Sequence, residues 1–150
     1  MPRKAFTMIE LVFVIAIIGI LAAVAIPKLA VTRSDAVITK AKTTFASVRN
    51  AIATERQKRI LRGKFDKITD LGDTTYAFNK FSAITGETQV RVLEYPVKNC
   101  ATGEQGCWKR TDGLNYIYVF PVSGEAKFKL DKSRLICADA DTTKCDKLTQ

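Results

Sequence analysis

Ala5-Phe6-Thr7-Met8-Ile9-Glu10-Leu11 opens an apolar run that lasts to Pro27, and the reading of that run decides the fold. From Phe6 to Ile26 there are 21 residues, and Glu10 is the only charge among them. A helix of that length rises about 30 Å, the thickness of a bilayer's hydrocarbon core. A carboxylate inside such a segment costs about 2.5–3.5 kcal/mol on insertion scales. A segment that served only as an anchor would carry Leu or Val there, so Glu10 asks for a partner. Gly19 and Pro27 are the two helix-breaking residues of the run. Proline lacks its N–H and clashes with the carbonyl four residues back, here Ala23, and Ala22, Ala23 and Ala25 permit close helix approach.

Lys4-Ala5-Phe6-Thr7-Met8-Ile9-Glu10-Leu11, followed by Gly19-Ile20-Leu21-Ala22-Ala23-Val24-Ala25-Ile26-Pro27, resembles the N-terminal signature of type IV pilins and type II secretion pseudopilins. The resemblance covers about the first 35 residues. It implies a leader of residues 1–5, cut by a prepilin peptidase between Ala5 and Phe6, with methylation of the new amine on Phe6. The family usually has Gly where Ala5 stands. It implies an α+β pilin fold: a long N-terminal helix, its first half transmembrane, packed on a small antiparallel β-sheet. It also implies the function, a structural subunit of a type IV pilus or of a secretion or competence pseudopilus. Such a subunit is stored in the inner membrane and polymerised into a helical homo-oligomer with other pilins or pseudopilins on an inner-membrane assembly platform. In filaments of that family the stretch between such a glycine and proline can lose helical order and extend.

Glu10 lies four residues after Phe6, on the same helical face. Cleavage would give it a cation, the Phe6 amine of its own chain or of a neighbouring copy. The alternative partner is local, because a carboxylate in the first turn favours a helix N-terminus. A rival reading of the whole segment takes Ala23-Val24-Ala25 as a signal-peptidase site that releases residues 26–150. The length of the apolar run and the charge at Glu10 oppose it. The basic Arg3 and Lys4 are expected to keep the N-terminus in the cytoplasm and the bulk of the chain outside, which the resemblance implies is the periplasm.

The formal net charge is +9. Residues 28–70 carry eleven basic and four acidic side chains, so the excess sits just beyond the membrane run. A solvated helix face or contact with the anionic surface of the lipid bilayer accounts for it. The alternative is a minor or DNA-uptake pilin binding nucleic acid through this basic neck, with Arg56, Lys58, Arg59 and Arg62 neutralising phosphates. No histidine occurs, which excludes imidazole catalysis and His metal ligands. Neither a nucleophile–base pairing nor a phosphate-binding loop appears, and an enzyme is not expected.

From Lys28 to about Arg62 there is no proline or glycine. Apolar Ile38, Ala41, Phe45, Val48 and Ile52 recur at steps of three and four, one stripe of a half-buried helix that Gly63 ends. Residues 28–62 therefore read as a neck helix continuous with the membrane segment of residues 6–27. Residues 63–150 read as a globular sheet domain. Residues 64–88 are expected to form a loop with a short helix. Strands are expected over Val90–Tyr95, Asn115–Phe120 and Ala126–Leu130, the last two joined through Pro121-Val122-Ser123-Gly124. Cys100, Cys107, Cys137 and Cys145 suit an oxidising compartment. They allow three pairings, of which the two local ones are favoured, and their spacing is not that of a zinc ribbon. Asp139, Asp141 and Asp146 lie close together in the tail. Calcium, which major pseudopilins of the resembling family often hold in a C-terminal loop, is the one cofactor considered for them. A solvated acidic loop is the plainer alternative.

Overall fold

The computed structural model describes residues 6–84, 86 and 88–149. The architecture is α+β, a long N-terminal apolar helix with a small antiparallel sheet. Internal contacts divide the chain into two units, Met1–Asp35 and Ala36–Gln150. In the first unit the helix α1 (Met8–Leu61) starts and passes through both Gly19 and Pro27 without interruption. The two residues read as helix-breaking thus lie inside the continuous helix expected for the single chain. Pro27 removes one backbone bond, that to Ala23, and the unbroken run of apolar residues around it carries the helix across.

The second unit holds the rest of α1. Ala41, Phe45, Val48 and Ile52 are buried and Ile38 packs beside them, so the stripe expected from the sequence is the buried face. Gly63, at φ 71°, closes the helix. Its N–H donates to the Ile60 carbonyl at 2.9 Å and that of Lys64 to the Arg59 carbonyl at 2.8 Å, the paired bonds of a Schellman cap.

Among the described residues six strands follow: β1 (Tyr76–Phe78), β2 (Val97–Lys98), β3 (Cys107–Arg110), β4 (Asn115–Val119), β5 (Glu125–Asp131) and β6 (Arg134–Cys137). The first two pair with each other, and the remaining four form an antiparallel sheet in sequence order. Strand β5 alternates exposed and buried side chains along its whole length, so Ala126, Phe128 and Leu130 face the core while Lys127 and Lys129 face out. Phe45 of α1 meets this face, its ring centroid 4.9 Å from Phe128 and 6.3 Å from Trp108. Phe78 reaches the same cluster, 5.3 Å from both Trp108 and Tyr116.

Two expected elements are corrected. No helix forms within residues 64–84. Asp70 and Asp73 instead bend the backbone, Asp73 Oδ1 accepting from the N–H of Thr75 at 2.8 Å and of Tyr76 at 2.7 Å. Gly72 lies so close to the carbonyls of Tyr76 and Ala77 that a Cβ there would sit 2.3 Å from each oxygen. Nor is Val90–Tyr95 a strand: Arg91 makes one bridge with Lys80, residues 92–95 bend, and pairing resumes only at β2, beyond Pro96. Arg91 donates to the nearby Glu94 carbonyl, a local bond that accompanies the bend.

Strands β5 and β6 are joined by Lys132 and Ser133, at φ 45° and 60°. Two positive φ values suit the right-handed twist of a two-residue hairpin, though Asn-Gly is the common choice. Ser133 is buried, and its Oγ accepts the Ile68 N–H at 2.9 Å, tying the segment after α1 to the hairpin. Ser133→Ala is expected to cost about 1–3 kcal/mol, because the Ile68 N–H is left buried without an acceptor. Denaturant unfolding measures it, and a change within error would remove the tie from the account.

Candidate assembly surface

Within the first unit the large apolar side chains point outward all round the helix, from Phe6 at 84% exposure through Phe13 and Leu21 to Val31 at 64%. A helix that is apolar on every side belongs in a core or a bilayer. By length and composition α1 is able to cross a membrane. At its start Thr7 and Glu10 form a capping box. Glu10 Oε2 accepts from the Thr7 N–H at 3.1 Å and the Thr7 hydroxyl at 3.0 Å, and the Glu10 N–H donates back to Thr7 Oγ1 at 3.3 Å. The local partner anticipated for the carboxylate is thus present within one chain. Phe6 is described and exposed, whereas Ala5, the other side of the expected cleavage point, lies outside the described residues.

The remaining candidate residues are dispersed. Cys100 is bonded to Cys107 and Cys137 to Cys145, so all four cysteines are in local bridges. The second bridge fastens helix α2 (Thr142–Thr149), which the sequence reading did not anticipate, through its buried residues Cys145 and Leu148. Asp141 caps that helix, its Oδ1 accepting from the Thr143 hydroxyl at 2.6 Å and N–H at 3.1 Å. Those two bonds hold the Asp141 carboxyl below its usual value. Asp139 and Asp146 do not join it. Among the described residues no group of three or more acidic, His or Cys side chains is placed to hold a metal, so the three Asp considered for calcium are not brought together as a site.

The four neck cations named for the nucleic-acid alternative do not share one setting. Arg59 is buried, its Nε donating to Glu55 Oε1 at 2.9 Å and its Nη2 to the Ser82 carbonyl at 2.9 Å. Arg56 donates through Nη1 to the carbonyls of Phe65 and Asp66 at 3.2 and 2.9 Å. Of the four, Arg59 is committed to the interior and Lys58 is exposed.

A polar hub was missed altogether. Arg110 makes a two-pronged contact with Asp70, Nε to Oδ1 at 2.9 Å and Nη2 to Oδ2. Asp70 Oδ1 also accepts from the Leu71 N–H at 2.8 Å and the Gly72 N–H at 3.1 Å, and the Tyr116 hydroxyl lies 3.2 Å away. Burial alone would raise the Asp70 carboxyl, but the Arg110 guanidinium and the two backbone donors outweigh it and hold the group low. Burial and the charge of Asp70 raise the Tyr116 hydroxyl. Because the folded value of Asp70 is depressed, its stabilisation is complete above the ordinary carboxylate value near 3.9 and is lost as pH falls below it. Asp70→Asn is expected to lose about 1.5–3 kcal/mol at neutral pH. It should also lose part of the pH dependence below about pH 4, read by thermal melts at both pH values. An unchanged acid profile would show that the pair contributes nothing.

Residues 1–26 match the family described as the prokaryotic N-terminal methylation motif. No curated protein and no solved structure matches the chain.

Proposed function

We propose that this chain is a structural subunit of a type IV pilus or of a secretion or competence pseudopilus, held in the inner membrane by α1 and polymerised through it. One observation carries the reading: the methylation motif of residues 1–26 contains Glu10 and opens a helix whose apolar residues find no partner within their own unit. A membrane satisfies that surface in the stored state and other copies satisfy it in the filament. The prepilin peptidase cuts after Ala5, and the Phe6 amine is methylated.

The assembly step follows from the charge. Among the described residues the partners of Glu10 are neutral, the hydroxyl and N–H of Thr7. An ionised carboxylate in a medium of low dielectric gains far more from a cation than from neutral donors. The Phe6 amine of an adjoining copy supplies it, so adding a subunit is favoured over leaving it in the bilayer. The two settings of Glu10, cap and intermolecular pair, are successive states of one residue. Gly19 and Pro27 remain the places where the helix extends on assembly.

Sequencing the N-terminus of membrane-extracted protein tests the premise. Mature chains are expected to begin at Phe6 with a methylated amine. A start at Ile26 would mean that the apolar run is discarded and the protein secreted.

A further inference from the structure

We propose that the open edge of β6 binds an extended segment of a partner protein as an added antiparallel strand, one whose residues alternate apolar and acidic. The bonding of the sheet leaves that edge unpaired. Leu130 of β5 donates its N–H to the Leu114 carbonyl at 2.7 Å, toward β4, whereas the Lys127 carbonyl accepts the Ala138 N–H at 2.8 Å, on the side of β6. Alternate residues of β5 therefore serve opposite neighbours, and the bonded pairs of the hairpin are Asp131 with Arg134 and Lys129 with Ile136. Leu135 and Cys137 turn their N–H and C=O away from β5. Strand β6 is the last of the sheet, and among the described residues nothing takes up those backbone groups.

A cleft of about 490 Å³ follows the same edge. Arg134, Leu135 and Ile136 all line it. Side chains of a strand alternate between two faces, so a hollow that touches three residues in succession runs along the edge and not over one face. Its far wall is a single face of α1, with Ile52 and Ala53 at the middle and Arg49 and Arg56 about one turn to either side. Both walls are fixed before anything binds. Ser133 ties the hairpin to the Ile68 N–H, Arg49 lies over the Phe45 ring at 5.6 Å, and Arg56 is held by the carbonyls of Phe65 and Asp66. A preformed groove spares a ligand the cost of ordering it.

The edge itself selects a peptide. It offers donors and acceptors in alternation, and only another backbone answers both at strand spacing. The phosphate oxygens of a lipid headgroup or a nucleic acid accept and do not donate, so the Leu135 carbonyl gains nothing from them. Side chains of the added strand are chosen by the walls. The residue opposite Leu135 shares its face and meets Ile52 and Ala53, which asks for an apolar group. The residues on either side of it share the outer face with Arg134. Arg49, Arg56 and Lys132 stand round the same cleft and no acidic side chain lines it, so acidic residues suit those outer places. The same cations oppose a second copy's β6, which would bring like charges against them. The other pairings of the sheet are antiparallel, and that arrangement is the more stable per residue.

The test uses the full chain in a neutral detergent and a labelled peptide alternating valine and glutamate, with binding followed by fluorescence anisotropy. In an antiparallel pairing the residue opposite Leu135 directs its own N–H to β6, so the valine amides form the bonds and the glutamate amides face away. N-methylating the valine amides is expected to weaken binding about tenfold or more, and N-methylating the glutamate amides to change it little. Charge and composition are the same in both peptides. Bound peptide should also slow amide exchange at Leu135 about tenfold. Arg49→Gln/Arg134→Gln, which alters exposed side chains only, is expected to weaken binding about tenfold. Lys58→Gln/Lys109→Gln carries the same net charge and should bind as the parent does, with thermal melts checking that both variants fold. Equal behaviour of the two methylated peptides, or unchanged exchange at Leu135, would overturn strand addition. Displacement by anionic vesicles or duplex DNA as effective as by unlabelled peptide would reduce the site to charge alone and overturn it as well. So would an absence of binding, which would make the basic residues simple protection of the edge.

Discussion

Glu10→Gln is expected to leave insertion and folding intact and to reduce filament assembly by about ten- to a hundredfold. The reasoning rests on what glutamine keeps. Its side-chain carbonyl still accepts the Thr7 N–H, since either Glu or Gln completes a capping box. The start of α1 in the single chain is therefore preserved. What disappears is the charge. A hydrogen bond to a charged group is worth about 1.5–3 kcal/mol, and each 1.4 kcal/mol is a factor of about ten in an equilibrium constant. Thr7→Ala is the complementary change, removing the hydroxyl contact with Glu10 while leaving the carboxylate available. It should weaken the helix start by about 1 kcal/mol and leave filaments in place. The measurement is the ratio of sheared filament to membrane-held protein. Normal filament yield from Glu10→Gln would sink the intermolecular pairing.

Phe45→Ala is expected to destabilise the second unit by about 3–5 kcal/mol, the range for emptying an aromatic site in a packed core. Phe45 is 2% exposed and joins α1 to the sheet through Phe128 and Trp108. Loss of the ring also strips Arg49 of the surface it lies over. Phe45→Leu keeps most of the volume and should retain more than half of the stability lost by the alanine variant. Thermal or denaturant unfolding separates the two, and a loss below about 1 kcal/mol in the alanine variant would show that the cluster is not the core's centre.

The sequence carried the helix well because its signals are periodic and local. Ile38, Ala41, Phe45, Val48 and Ile52 announce one face, and Gly63 announces the end. The strands β4 and β5 were legible for the same reason, dense apolar alternation around a Pro-Val-Ser-Gly turn. Elements whose cause lies elsewhere in the chain were not. The turn before β6 uses Lys132 and Ser133, which carry no hairpin signal, and is held by the distant Ile68. Helix α2 has two buried residues, and one of them is fixed by a disulfide. Val90–Tyr95 alternates well yet makes a single bridge, so pattern alone overstates it. At the candidate site Glu10 was legible from its solitude in an apolar run. The Asp70–Arg110 hub joins residues forty positions apart, and its only local signal was the Asp-Leu-Gly-Asp sequence that bends the chain.

Glu55 and Arg59 continue the stripe of α1 at the same spacing as the apolar residues before them, and they are buried too. An oily stripe that repeats every turn would tolerate slippage of the helix along the sheet by one turn, about 5.4 Å. The buried charges do not tolerate it: the Glu55–Arg59 pair travels with the helix, and only one axial setting keeps Arg59 on the Ser82 carbonyl. They act as a detent on a rod: tension along the helix axis meets a sharp stop where grease alone would creep.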